Sequence, residues 1–335
     1  MTPFLTIGIP TFKRSQAVSE NTLSILSDDF LSRNDVGLVV SDNCSDDGTF
    51  EAISHIKNSS LSSANLSIFT NEKNLGVFGN IFRLFDYVDS DYLLITSDED
   101  FIHKNHIPRL MNFLHEKRPS LVSPQVFRND GLYRGRKVSR PIAPMEYQNA
   151  TFYTSGLVFH VEATKSVIEA HRTLMMEENL SYKQTLIAAE LMILHPGTLW
   201  FYDRPVTEKR YSLPTHVSSD RTFPFWSVPG RWESFVATEN YFATRLSNEK
   251  DLSGRKALAG YLRRNRVDLY GLLLHAIKTD RPELINDFRF GVQKKEIGVG
   301  SLAGMISFAR NVFRTARAAV RGLIGAFQRT RRFEI

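Results

Sequence analysis

The sequence predicts an α/β fold, a doubly wound domain with a helical C-terminal extension, and three observations predict it. Short apolar runs alternate with amphipathic helical patterns through roughly the first 125 residues. Polar and acidic clusters stand at the ends of those apolar runs, where open parallel sheets carry their chemistry. Beyond Trp232, strand-like runs give way to helical periodicity as far as about Phe290.

The elements follow in order. Phe4–Ile9 is read as a first buried strand, and Met1–Phe12, with Pro3 and Pro10 and no basic leader, as that strand and not a signal peptide. A helix over Ser15–Ser27 follows the Lys13-Arg14 turn. Val36–Ser41 is a second strand, and Gly48–Lys57 a helix with Ser45, Asp46 and Asp47 as capping residues. Leu66–Thr70, Gly76–Tyr87 and Asp91–Thr96 continue the alternation as strand, helix and strand. The second half reads as strands at Leu121–Phe127, Gly156–His160 and Leu199–Tyr202, with helices at Glu162–Arg172 and Ser181–Leu194. Residues 211–230, rich in Pro, Ser, Gly and aromatics, are expected to form an ordered loop near the site. The expected organisation is a catalytic domain over 1–225, divided into a nucleotide-binding half (1–120) and an acceptor half (121–225), then a helical extension over 226–300 and a basic amphipathic helix over 301–335.

Charge narrows the function classes. Across 335 residues the formal net charge is +6, and all of it lies in Ser301–Ile335, which carries seven arginines and one acid, Glu334. The first 300 residues are neutral overall, so the basic balance points away from nucleic acid and towards a tail that meets an anionic surface. On a 100° wheel Met305, Phe308, Phe313, Val320 and Phe327 share a broad apolar face, and Arg310, Arg314, Arg317 and Arg321 fall opposite. That pattern suits an anionic membrane surface. The alternative is a helix docked on its own domain or on a sister subunit. A single cysteine, Cys44, excludes an internal disulfide and a CxxC knuckle, which fits a cytoplasmic setting. No run approaches the ~18 apolar residues needed to cross a bilayer.

Four segments could carry chemistry. At the tip of strand one, Pro10, Thr11 and Phe12 can offer main-chain groups and a flat face to a base, and Arg14 a cation to phosphate. Past strand two, Asp42 can accept from a base N–H or a ribose hydroxyl. Around the third helix start, Asn74, Gly76, Gly79 and Asn80 can let backbone and amides approach a nucleotide, without the spacing of a dinucleotide site or P-loop. After strand four, Asp98-Glu99-Asp100 places three carboxylates in a row, which asks for a cation; hard oxygen ligands select Mg²⁺ or Mn²⁺. Read alone, each segment has a plainer structural alternative: a turn, a cap or a solvated loop.

In this order the four segments resemble the nucleotide-binding half of family 2 glycosyltransferases, which have the GT-A fold (nucleotide-diphospho-sugar transferase-like). The match runs through Pro10-Thr11-Phe12-Lys13-Arg14, Ser41 to Thr49, Asn74-Leu75-Gly76 with Asn80, and Ser97 to Asp100, and looks closest to abequosyltransferase-like enzymes of bacterial O-antigen and other surface polysaccharides. The resemblance implies that Asp42 holds the donor base, with Pro10, Thr11, Phe12 and Arg14 lining its pocket. It makes Asp98 and Asp100 the DxD pair that meets ribose and metal. Many relatives carry an aspartate where this chain has Ser97, so Glu99 and Asp100 stand as alternatives for the main metal ligand.

The resemblance further implies an inverting displacement in which a carboxylate deprotonates the acceptor. Glu190, inside an apolar helix, and Glu178, in a polar connection, are the candidate bases, with Glu177 beside them. His216 could complete the metal shell, and Tyr153, Thr154 and Ser155 could meet sugar or acceptor. The expected partners are a nucleotide-sugar donor, a glycan or lipid-linked glycan acceptor, and the inner face of the cell membrane. A sugar nucleotidyltransferase and a non-catalytic scaffold are the competing classes. The first usually needs a glycine-rich basic loop after strand one that Gly8-Ile9-Pro10-Thr11 does not supply, and the second has no use for Asp42, Asp98 and Asp100.

Overall fold

The continuous apolar runs of the N-terminal half become strands buried on both faces, as a parallel sheet covered by helices requires. The structure, a computed structural model, describes residues 2–26, 35–58, 65–128, 131–175, 182–209, 228–263 and 265. In chain order the first elements are β1 (Leu5–Thr11), α1 (Ser15–Leu26), β2 (Val36–Asp42), α2 (Thr49–Asn58), β3 (Leu66–Thr70), α3 (Gly76–Tyr87), β4 (Tyr92–Ile95), β5 (Phe101–Ile102) and α4 (Ile107–Lys117). There follow β6 (Leu121–Arg128), β7 (Gly131–Arg134), β8 (Arg140–Pro141), α5 (Tyr147–Thr151), β9 (Val158–His160), α6 (Val161–Ala170), α7 (Arg172–Met175), α8 (Lys183–Leu194), β10 (Leu199–Glu208) and α9 (Val228–Asn248).

The described strands form one mixed sheet in the order β3-β2-β1-β4-β9-β6-β10-β5, with β7 on β6 and β8 on β10. β1, β2, β3 and β4 run parallel, which brings Thr11 level with Asp42 and Gly8 level with Ile95. β9 is antiparallel to both β4 and β6. Its reversal matters for the site, because the residues leading into β9 lie where the chain leaves β4. Ile7, Leu38, Val40 and Leu94 are fully buried in the core, with α4 adding Leu110 and Leu114.

The sequence pattern ends the last strand at Tyr202, because proline in a strand usually marks an edge or a stop. Instead β10 continues to Glu208 through register shifts on either side of Pro205 against β6. The extension carries Thr207 and Lys209 to the edge of the acidic loop, and the Lys209 N–H donates to the Phe127 carbonyl at 2.8 Å. The short elements β5, β7, β8 and α5 leave no mark in the sequence pattern, since two to five residues carry little periodicity.

By internal contacts the chain divides into two units, Met1–Asp220 and Arg221–Ile335. In the second, α9 starts at Val228, inside the stretch read as a loop, and a further helical run covers 252–263. Phe242 and Tyr261 are buried with ring centroids 5.3 Å apart, and Asn265 Nδ2 donates to the Phe235 carbonyl at 3.0 Å. Among the described residues no helix is long and apolar enough to cross a membrane. Glu177, Glu178, His216 and the tail Ser301–Ile335 lie outside the described residues.

Candidate functional site

The site is built on the turn after β1. Lys13 takes a left-handed conformation, φ 52°, and the turn is fastened to the β2–α2 loop. Lys13 N–H donates to Ser45 Oγ at 2.8 Å, Arg14 N–H to Thr49 Oγ1 at 3.2 Å, and Lys13 Nζ to Asp46 Oδ2 at 3.0 Å. From this fixed base Thr11 and Arg14 reach the acidic loop after β4. Thr11 Oγ1 donates to Asp98 Oδ2 at 2.8 Å, and Arg14 Nη1 lies 3.0 Å from Asp98 Oδ1 and 2.5 Å from Glu99 Oε1. Pro10 and Phe12 are half-buried on the same strand end.

Asp98 and Asp100 are almost fully enclosed, at 5% and 3% exposure. Burial pushes all three carboxyls of the run upward, because a charged carboxylate loses its water; the Arg14 charge opposes this at Asp98 and Glu99. At Asp100 the same upward push is opposed by the Ser155 and Tyr153 hydroxyls and by the charge of Lys209. The Tyr153 hydroxyl donates to Asp100 Oδ2. Lys209 Nζ lies 4.9 Å from the centre of the Tyr153 ring. Two basic side chains, Arg14 and Lys209, thus face three acids.

The far side of the crevice is held by the approach to β9. Ser97 N–H donates to Ser155 Oγ at 3.1 Å, and Gly156 N–H donates to the Ile95 carbonyl at 2.7 Å. Gly156 adopts φ +83°, and a Cβ there would overlap Thr207 Oγ1 and sit 3.1 Å from Arg134 Nη2. Arg134, buried to 2% exposure, donates to the Tyr153 carbonyl and, from Nη2 at 3.3 Å, to the Pro124 carbonyl. Nothing in the sequence marks Arg134 or Lys209. Tyr153 and Ser155 are sequence candidates for contacts with sugar or acceptor, and the structure brings them to the acidic loop.

Several residues that the resemblance assigns to the donor are also bonded to their neighbours. Asp42 is completely buried; it accepts from Ser45 N–H at 3.0 Å, from Ser45 Oγ and from Thr70 Oγ1 at 3.0 Å. A carboxylate so engaged shapes the loop. Asn80 is equally committed: Nδ2 donates to the Ser41 and Thr11 carbonyls at 2.9 and 3.2 Å, and Oδ1 accepts from Ser41 Oγ at 2.7 Å and Asn71 Nδ2 at 2.9 Å. With all its hydrogen-bonding positions used, Asn80 ties the ends of β1 and β2 together. Asn43, which sequence reading passes over, does the same for the next loop. It donates to Asn74 Oδ1 at 2.7 Å and accepts from Leu75 N–H at 2.9 Å. Asn74 is exposed and also caps Gly76 N–H at 2.8 Å. Gly76, at φ +72° with open space around it, supplies the turn that starts α3. Gly79 is small because its Cβ would meet Leu75 at 2.6 Å.

Glu190 is also enclosed. It is fully buried in α8, with Oε2 3.6 Å from His171 Nε2. Asp46 and Asp47 do cap and anchor the β2–α2 loop, as read from sequence: Thr49 N–H donates to Asp47 Oδ1 at 3.1 Å.

Comparisons with known proteins agree with this geometry. No curated protein matches the chain. Among solved structures it is similar to the S. aureus TarS fragment 1–349 (TM-score 0.58, 15% identity, covering 79% of this chain and 71% of that one). The same fragment in complex with UDP-GlcNAc aligns with TM-score 0.51 at 15% identity, over 87% of this chain and 92% of that one. The mannosyltransferase PcManGT from Pyrobaculum calidifontis, in complex with GDP-Man and Mn²⁺, aligns with TM-score 0.54 at 13% identity, over 94% and 81%. At such identities the likeness is one of fold, and the fold is GT-A. The family model "Glycosyl transferase family 2" matches residues 6–174, half of the chain, from β1 through the acidic loop to α7. On that match, seated on a GT-A sheet, the chain belongs to glycosyl transferase family 2.

Proposed function

We propose that the protein is an inverting glycosyltransferase that uses a divalent cation to move a sugar from a nucleoside diphosphate donor to a glycan acceptor. One observation carries this reading: a run of three carboxylates at the open end of β4, Asp98 and Asp100 nearly enclosed and Glu99 half-buried between them, facing Thr11, Arg14, Tyr153 and Ser155. Like charges in a dry site are unfavourable unless a cation offsets them. The run suits Mg²⁺ or Mn²⁺ held by one or two carboxylates and completed by donor phosphates and water. Asp100, with Asp98 or Glu99, would hold it, and when bound it offsets the charge that grows on the departing diphosphate. The solved TarS and PcManGT complexes with nucleotide sugars, the latter with Mn²⁺, support the same donor class and cation.

The chain's own residues divide the remaining work. Thr11, hydrogen-bonded to Asp98, orients that carboxylate towards the donor. Pro10 and Phe12 line the pocket for the base, and Asn74 and Gly76 shape its rim. Asp42 and Asn80 brace the pocket from behind. Glu190, and Glu178 with its neighbour Glu177 outside the described residues, are the candidates for the base that deprotonates the acceptor.

The finer reading is an abequosyltransferase-like role in O-antigen or other surface-polysaccharide synthesis, on a lipid-linked acceptor at the cytoplasmic face of the membrane. Residues 1–225 would form the catalytic domain, 226–300 a helical extension and 301–335 the membrane-binding segment, whose arginines suit anionic lipid. A screen of UDP-, GDP-, CDP- and dTDP-sugars for Mn²⁺-dependent donor hydrolysis tests the core proposal. Asp100→Ala should abolish the reaction in a folded protein. Turnover that survives both chelator and this substitution would sink it. Loss of sedimentation with anionic liposomes on deleting 301–335 tests the anchor, and unchanged sedimentation removes it.

A further inference from the structure

The sequence assigns Arg14 to a phosphate, yet its Nη1 lies between two members of the carboxylate run, 3.0 Å from Asp98 Oδ1 and 2.5 Å from Glu99 Oε1. We propose that Arg14 is an internal counter-ion, which holds the carboxylates in the empty enzyme and transfers to the donor diphosphate when a divalent cation enters. The inference rests on the cation-and-donor reading above, and adds a coupling between the two ligands.

Three observations support the exchange. The backbone under Arg14 is pinned by Ser45 and Thr49 from the neighbouring loop, so the guanidinium moves from a fixed base. Arg14 keeps 27% of its side chain exposed while Asp98 keeps 5%, so the arginine is the partner able to turn towards solvent and ligand. A single guanidinium nitrogen serves both acids, which leaves further N–H donors for phosphate oxygens.

Charge then dictates the order of preference. With Arg14 and the Lys209 charge already facing Asp98, Glu99 and Asp100, an incoming divalent cation meets two positive side chains. Its entry alone is therefore opposed. A diphosphate arriving with it gives Arg14 a new anionic partner and frees the carboxylates. By linkage, Arg14 weakens cation binding without nucleotide and strengthens the mutual dependence of cation and nucleotide.

The test is Mn²⁺ affinity, read from the electron paramagnetic resonance signal of free Mn²⁺ at low ionic strength, with and without UDP, GDP, CDP or dTDP. Arg14→Gln keeps a hydrogen-bond donor for Asp98 and removes the charge. It should bind Mn²⁺ alone about 5–10-fold more tightly than wild type, and lose a similar factor of the enhancement that nucleoside diphosphate brings. Arg14→Lys, which keeps the charge, should stay within about 3-fold of wild type for Mn²⁺ alone. If Arg14→Gln fails to unfold cooperatively, Arg14→Ala carries the same expectation. Wild-type or weaker Mn²⁺ binding by the neutral variants, with Asp100→Ala abolishing it, overturns the counter-ion role and leaves the site reading intact. Mn²⁺ binding that Asp100→Ala does not weaken overturns the site reading itself.

Discussion

Tyr153 donates its hydroxyl hydrogen to Oδ2 of Asp100, joining the approach to β9 to the loop that leaves β4. The bond fixes the orientation of the carboxylate proposed to hold the cation. Outer hydrogen bonds of this kind typically matter by 10–100-fold in metal affinity. Tyr153→Phe, which keeps the ring beneath Lys209, should therefore weaken Mn²⁺ binding in the presence of nucleoside diphosphate by about 10-fold while leaving the melting temperature nearly unchanged. Calorimetric titration gives the number, and an unchanged affinity would detach Tyr153 from the site.

Asn80→Asp is nearly isosteric and should still be severe. Its Nδ2 donates to two carbonyls, and an aspartate would set an acceptor against both. Leaving buried polar groups mispaired costs about 1–3 kcal/mol each. We expect a loss of about 2–4 kcal/mol in urea unfolding; a change below about 1 kcal/mol would show that the knot between β1 and β2 is dispensable.

Glu190→Gln separates a base from a buried structural acid. Losing a general base costs roughly 10²–10⁴-fold in rate. With Glu190 enclosed against His171, turnover per folded enzyme should stay within about 3-fold of wild type. A drop of two decades in kcat at constant folded fraction would make Glu190 the base.

Gly156→Ala adds a methyl group where the backbone is left-handed and Thr207 and Arg134 leave no room. The φ penalty of roughly 1–2 kcal/mol and the overlap add, so a destabilisation above about 2 kcal/mol is expected. Thermal unfolding with the Gly156→Ala protein near wild-type stability would mean that the β9 approach yields easily.

Acid stability should carry the signature of Glu146. Two hydrogen bonds of 2.7 Å from Arg140 hold its carboxyl down to about 2 from its ordinary 4.5. A depressed folded value gives stabilisation that is present above pH 4.5 and is lost as pH falls towards about 2. Because Arg140 is 40% exposed, the pair is worth about 1 kcal/mol, not the full shift. Arg140→Ala should lower stability at pH 7 by that amount and by progressively less as pH falls towards about 2, as measured by denaturant midpoints.

How much of this can be read from sequence divides by kind of residue. The first four strands and three helices are legible because buried parallel strands and amphipathic helices write long periodic patterns. The acidic run and Arg14 are legible because charge at a strand end is conspicuous. The hydrogen bonds of Asp42 and Asn80 are not legible, since a polar group at a strand end serves a ligand or saturates loop backbone with the same letters. The placement of Ser155 is hidden for a topological reason, whereas Arg134 and Lys209 are single basic residues outside any motif. Looking beyond the C-terminal ends of parallel strands cannot find residues that precede an antiparallel one.

The crevice draws on residues far apart in the chain, which sets the order in which it is made. Asp98, Glu99 and Asp100 leave the ribosome well before Tyr153 and Ser155, and Lys209 later still. A growing chain holds the crevice's nucleotide wall long before its acidic floor has a lid of hydroxyls and a second cation. Until then Arg14, synthesised first of all, is the side chain at hand to quiet the carboxylates.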